Sequence, residues 1–219
     1  MEETLTPRAR RAQRTREAIL DAARRIISKQ GVDGLSIRSI AEAIDYSPAG
    51  LYEYFGSKEE IVMAVVAQGF ERFTRALEAV DVDLPARDYA REVGLAYIDF
   101  AMRNPEFFVV MFTTAPLADF YCTADQRPTD QASAIALLKA EPSFAVLYRA
   151  IARCVAEGLF AARSNDDVFT MALTAWSYVH GVAMLRVTNF RNIPIDWRAI
   201  DRAGLDVLFY GFQAIGASA

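Results

Sequence analysis

The residue types that build most reactive and metal sites are scarce in this chain. Its 219 residues include one histidine, His180, and two cysteines, Cys122 and Cys154. The cysteines stand alone, without CxxC spacing, and read as reduced thiols of a cytoplasmic protein. One histidine and two cysteines leave little with which to ligate a transition metal, so no metal and no cofactor is expected. No apolar run approaches the length of about 18 residues needed to span a bilayer. The first residues, MEETLTPRARRAQRTREA, lack the apolar segment of a secretory signal. No membrane partner is therefore expected. Strand-like alternation and internal repeats are also missing, and the chain reads as all-α.

Hydrophobic residues make up 53% of the chain, enough for a core in one large domain or two small ones. A net charge of −4 argues against a nucleic-acid binder until its distribution is read. Between Arg8 and Lys29 there are eight basic residues and two acidic ones, whereas from Glu59 onward there are 14 basic and 20 acidic. That asymmetry suits a chain whose first part meets phosphate and whose remainder does not. Residues 1–12 read as a solvated basic tail in the free protein, able to order on DNA.

The stretch LSIRSIAEAIDYSPAGLYEYFGSKEE, Leu35 to Glu60, organises the rest. Ser36 suits a helix N-cap, and Ile37, Ile40, Ala41 and Ile44 follow it on one apolar face. Asp45 and Tyr46 break the pattern. Ser47 can cap a second short helix with Pro48 at its first position, and Leu51 and Phe55 are its inward side. Gly56 stops it, and Ser57-Lys58-Glu59-Glu60 reads as a capping box opening a longer helix. Two short helices with a tight turn form a helix-turn-helix, whose second helix can lie in a major groove. Ala49 and Gly50 are small enough for close approach to DNA. Tyr52 and Tyr54 offer hydroxyls, and Lys58 sits where a phosphate would lie. Arg38, Ser47, Ala49, Gly50, Tyr52, Tyr54 and Lys58 are the candidate DNA-binding residues.

The segment from about Arg14 to Ile61 resembles the N-terminal domain of TetR-family transcriptional regulators. The resemblance rests on Ile19-Leu20-Asp21-Ala22-Ala23, Gly31, Leu35 to Ala41, Ser47, Leu51 to Phe55 and Ser57-Lys58-Glu59. Family members commonly carry glycine in the turn where this chain has Asp45, a residue that tolerates left-handed backbone better than most. Trp176 to Gly181 resembles the Trp…His-Gly signature of one class of TetR C-terminal domains. The resemblance implies a homodimer on a palindromic double-stranded DNA operator and a small-molecule effector.

In chain order, a first helix is expected from about Arg14 to Lys29. A fourth, from Ser57 to about Val80, would serve both domains and could pass a rotation between them. Residues 14–72 are expected to form the DNA-binding domain and residues 73–219 a helical ligand-binding and dimerisation domain. Further helices are expected to end at Arg103, to start at Asn104-Pro105, to lie around Ala132 to Lys139 and to run from Ser143 to about Leu159. A loop is expected from Thr113 to Arg127. Asn165 and Asp196 are the expected caps of the last two helices. Small-residue faces on those helices, with Ala172, Ala175 and Val179 on one and Gly204, Leu208 and Gly211 on the other, are candidates for a dimer bundle or for intramolecular core. Met102, Phe107, Phe108, Met111, Tyr148, Trp176 and His180 are candidates for an apolar ligand site, although aromatic residues so placed also serve as plain core. The leading expectation is a ligand-responsive dimeric repressor and not an enzyme. An activator, a helical enzyme or an adaptor without DNA binding are the alternatives.

Overall fold

Thr6 and Pro7 decide where the chain first becomes regular. The Thr6 hydroxyl accepts from the Ala9 N–H at 3.2 Å, and Pro7, with no N–H to satisfy, takes the first helical position. The computed structural model therefore starts helix α1 at Pro7, about two turns before the Arg14 that the apolar stripe suggests, and runs it to Gln30. Residues 6–114, 127–162 and 164–214 are described. The segment expected as a loop after Thr113 falls mostly outside them, and so does Cys122.

Among the described residues there are ten helices and no strand: α1, then α2 (Ile37–Ala43), α3 (Pro48–Leu51), α4 (Lys58–Glu78), α5 (Ala86–Arg103), α6 (Pro105–Thr113), α7 (Gln131–Ala140), α8 (Pro142–Ala156), α9 (Asn165–Val187) and α10 (Trp197–Ala214). They divide into two compact units. One holds residues 6–70 and 106–114, and the other holds residues 71–105, 127–162 and 164–214. Helix α4 contributes to both.

In the first unit α1 packs on α2 and α2 on α3, with Ile19, Ala23, Ile27, Ile40, Leu51 and Phe55 all buried. Arg16 fastens α1 to the segment after α3. Its guanidinium lies 4.0 Å from the Phe55 ring centroid and donates to the Tyr54 carbonyl at 2.8 Å. Helix α6 belongs to this unit too: Arg24 pairs with Glu106 and covers the Phe107 ring at 4.8 Å. Met111 approaches Gly69 so closely that a Cβ there would stand 2.6 Å from its Cγ. Only glycine admits that contact.

The second unit is built around α5 and α9. Gly94 of α5 lies where a Cβ would meet Leu205 of α10 at 3.1 Å and Val179 of α9 at 3.5 Å. Two ion pairs lash α10 to α5, Arg91 with Asp206 and Arg202 with Glu92, both at 3.0 Å. Arg186 of α9 pairs with buried Asp201 of α10 under the Trp197 ring. Helix α9 is capped by Ser164, whose hydroxyl accepts from Asp167 N–H, so the cap falls one residue before the expected Asn165. Asp196 caps α10 by accepting from Ala199 N–H at 3.1 Å. Helix α9 is also long and apolar enough to cross a membrane by length and composition, but its Ala172, Ala175, Val179 and Ala183 are buried in the unit's core.

Candidate nucleic-acid interface and effector region

The turn between α2 and α3 is closed by one left-handed residue. Asp45 adopts φ 58°, which turns the Tyr46 N–H back to the Ala41 carbonyl at 2.9 Å, where the Ile44 N–H already reaches at 3.3 Å. Ser36 caps α2 through a reciprocal exchange with Ser39, and the Ser47 hydroxyl caps α3 by accepting from Gly50 N–H at 3.0 Å. Local caps thus fix the ends of α2 and α3, and Arg16 of α1 holds the segment that follows α3.

The expected DNA-binding residues lie close together on this scaffold, with two refinements of role. Ala49, Ser47 and Tyr52 are exposed, Tyr52 at 57%. Arg38 is 84% exposed and pairs with Glu42 one turn on, an exposed pair that costs little to open. Gly50 answers first to its neighbour. An added Cβ would stand 2.5 Å from the Tyr46 ring, so glycine is required there before any DNA arrives. Tyr46, which breaks the apolar pattern of the sequence, is edge-on to Tyr54 at 6.3 Å, and the neighbouring Tyr54 phenol raises its pKa.

Lys58 begins α4 and is half-buried, at the edge of a cavity of about 250 Å³ with Val32, Glu59, Val62, Met63 and Thr114. The expected capping box is shifted. Ser57 accepts from Glu60 N–H at 3.1 Å, but the Glu60 carboxylate reaches past Ser57 to the Gly56 N–H at 2.7 Å.

The seven residues expected at a ligand site are divided between the units. Phe107, Phe108 and Met111 are buried in the first, where Phe108 tilts against Phe112 at 4.9 Å. Met102, Tyr148, Trp176 and His180 are half-buried in the second. There the Trp176 N–H donates to the Tyr97 hydroxyl oxygen at 3.1 Å, and Tyr97 Oη lies 2.9 Å from His180 Nδ1. Burial lowers the His180 pKa and raises that of Tyr97, so both are neutral at pH 7. A Tyr97 hydroxyl that donates to Nδ1 places the imidazole proton on Nε2. Phe144 meets Trp176 edge-on at 5.9 Å, and the Lys139 ammonium lies 4.8 Å from the Tyr148 ring centroid. Buried Glu141 caps α8, accepting from Ser143 Oγ–H and Phe144 N–H, both at 2.6 Å. Its presence near Tyr97 adds to the upward pKa shift of that phenol. Sequence reasoning missed Glu141, whose one signal was its place directly before Pro142.

The dimer candidates separate by burial. Ala172, Ala175 and Val179 are buried within the single chain. Gly204 is half-buried against Tyr178 of the same chain, where an added Cβ would overlap the hydroxyl at 1.6 Å. Leu208 is half-buried and Gly211 exposed, with no atom near a Cβ added at Gly211. The outward stripe of α10 is instead Ile200, Val207, Tyr210 and Gly211, with Val207 74% and Tyr210 71% exposed. Thr174, Ser177 and Leu185 of α9 are exposed as well.

These features define a helix-turn-helix protein that also carries a larger helical unit. Residues 19–65 match the bacterial regulatory proteins of the tetR family, and residues 90–208, more than half of the chain, match the tetracyclin repressor-like C-terminal domain. The chain belongs to the TetR family. It is 35% identical over 107 residues to the HTH-type transcriptional repressor NicS of Pseudomonas putida, covering 48% of this chain and 50% of that protein. With the HTH-type transcriptional repressor KstR of Rhodococcus jostii it shares 30% identity over 182 residues, 80% of this chain and 77% of that protein. The matched stretch thus spans half or less of some curated relatives and most of another. The same fold occurs in a protein of unknown function from Rhodococcus sp. RHA1 (TM-score 0.69, 24% identity, 90% of this chain and 95% of that one). It occurs also in the TetR-family regulator PfmR of Thermus thermophilus (TM-score 0.65, 22% identity, 88% and 97%).

Proposed function

We propose that this protein is a dimeric transcriptional regulator that represses from a palindromic operator and is released by a small, largely apolar effector. The observation that carries the reading is the α2–turn–α3 unit: a left-handed Asp45, a Ser47 cap and an exposed row of Ala49, Tyr52 and Arg38 on a scaffold shared with TetR-family relatives. Phosphate contacts from Lys58, Tyr54 and Arg38 would hold the reading helix in register, and side chains of α3 would touch base edges. Two copies would pair through the outward stripes of α9 and α10. Ile200, Val207, Tyr210 and Gly211 of each copy would supply the apolar contact that water otherwise meets.

The effector would bind in the second unit beside Trp176, His180, Tyr148 and Met102, with the Tyr97–His180–Trp176 bonds giving an otherwise apolar wall a few polar groups. Binding releases DNA only if the effector prefers the spacing of the two reading heads that no longer fits both half-sites. The reading places the protein in the cytoplasm, without catalysis of its own. An activator uses the same parts and differs only in where the operator lies. Footprinting of the purified protein on the DNA upstream of its own gene is the deciding experiment. Two protected half-sites about one helical turn apart are expected, and no salt-sensitive protection at any position would overturn the proposal.

A further inference from the structure

Beside the reading head runs an open groove of about 650 Å³ that the helix-turn-helix does not account for. Thr6, Pro7, Arg8, Arg11 and Ala12 of the first turns of α1 form one wall, and Glu53 and Tyr54 form the other. Its existence follows from the Thr6 cap, which extends α1 by two turns, and from Arg16, which holds that helix against the Tyr54 carbonyl. Ala12 lies one turn before Arg16 and Arg8 two turns before, on the same helical stripe. The small Ala12 side chain leaves the space that Arg16 fills further along.

The charge in this groove is unspent. The guanidinium groups of Arg16, Arg24 and Arg25 each bond within the chain, but those of Arg8 and Arg11 in the groove, and of Arg10 and Arg14 beside it on α1, have no hydrogen-bond or ion-pair partner among the described residues. All four are exposed. Four uncompensated guanidinium groups within two turns of helix destabilise one another unless an anion joins them. An open trough with one cationic wall suits an extended polyanion better than an enclosed small ligand.

We propose that this groove seats the sugar–phosphate backbone of the operator just outside the half-site read by α3, with Arg8 and Arg11 contacting phosphates. The inference rests on the DNA-binding reading above, because Tyr54 belongs both to the groove and to the reading segment. A strand touched by Tyr54 passes directly into it. Glu53 is the one acidic group lining the trough and opposes the same phosphates, so it moderates affinity at this flank.

The test compares the wild-type chain with Arg8→Ala/Arg11→Ala and with Glu53→Gln, on the operator fragment recovered by footprinting. Alanine is at least as good a helix former as arginine, so α1 keeps its length, and circular dichroism checks that it does. Loss of two phosphate contacts lowers the slope of log affinity against log salt by about 1.8. The variant should also lose hydroxyl-radical protection at the outer flank of each half-site while keeping protection at the centre. Glu53→Gln should bind more tightly than wild type with unchanged central protection, and Arg8→Lys/Arg11→Lys should recover most of the slope. A wild type that binds while the double alanine variant keeps its slope and its flank protection overturns this inference alone. A wild type with no salt-dependent affinity removes the regulator reading and this inference together. Lower thermal stability in the double variant with an unchanged salt slope would assign the arginines a structural role and also count against the proposal.

Discussion

The first unit keeps its chemistry on the outside and the second keeps its chemistry within. In the reading head, the side chains that matter stand on short helices held by hydroxyl caps at Ser36 and Ser47 and by one left-handed residue at Asp45. In the larger unit, Tyr97 and Asp201 are buried and bonded across helices, Tyr97 to Trp176 and His180, 79 and 83 residues on, and Asp201 to Arg186 of the preceding helix. A short polar segment can specify itself locally, because each cap bonds within three residues. A buried polar network cannot, because its members depend on the packing of helices from distant sequence. Changes in the first unit should therefore act on DNA affinity and only mildly on stability, while changes in the second should act on stability first.

The sharpest test of that contrast is the Arg186–Asp201 pair. Arg186→Met alone should destabilise the protein by about 3–5 kcal/mol, because a buried carboxylate is left without its cation, whereas Arg186→Met/Asp201→Leu should cost much less. Denaturant titration of both variants measures the difference. Burial outweighs the neighbouring guanidinium and raises the Asp201 pKa, with Asp99 adding to the rise. A folded pKa above the unfolded value means that this carboxyl's contribution is fully present below the usual range near 4 and is lost as pH rises through the folded pKa. Asp201→Asn should flatten that part of the stability profile.

Next in size is assembly, where the two units should respond together. Gly211→Arg meets open space in the single chain, so the variant should fold normally and sediment as a monomer. Operator affinity should then fall by roughly 100-fold or more, since the second half-site no longer binds as part of the same complex. A monomeric wild type at micromolar concentration would refute the proposed interface.

Within the reading head the effects should be smaller and confined to one observable each. Lys58→Ala should weaken binding and lower the salt slope by about 0.9, with the melting curve close to wild type. Ser47→Ala removes the α3 cap and should cost about 1 kcal/mol, read by denaturant midpoint. Asp45→Gly is the smallest change: relief of a left-handed side chain should be neutral to stabilising, by about 0.5–1 kcal/mol. A substantial loss of stability there would show that the Asp45 side chain does more than tolerate its backbone.

The same contrast explains what is legible in the sequence. The caps at Ser36, Ser47 and Asp196 and the left-handed turn at Asp45 can be read there because each is a local rule. Thr6 cannot, because the residues after it are polar and basic and carry no apolar stripe to mark a helix. Ala172, Ala175 and Val179 suggest a dimer face because they form the smoothest side of α9. That smoothness suits the chain's own α5, and the outward face is the more polar side with Thr174 and Ser177. The Tyr97–His180 contact joins residues 83 apart, a pairing that no spacing within one helix can announce.

Helix α6 has a practical consequence for anyone who wishes to work with the reading head by itself. An N-terminal fragment ending near residue 72 would include α1 to α3 and most of α4 but would leave out Phe107, Phe108 and Met111. Their removal would strip the cover from Gly69 and leave Arg24 without Glu106 and Phe107. Such a fragment should be prone to clump. A usable miniature would carry residues 105–114 back by a designed tether, or would replace the newly bared apolar side of α4 with polar residues.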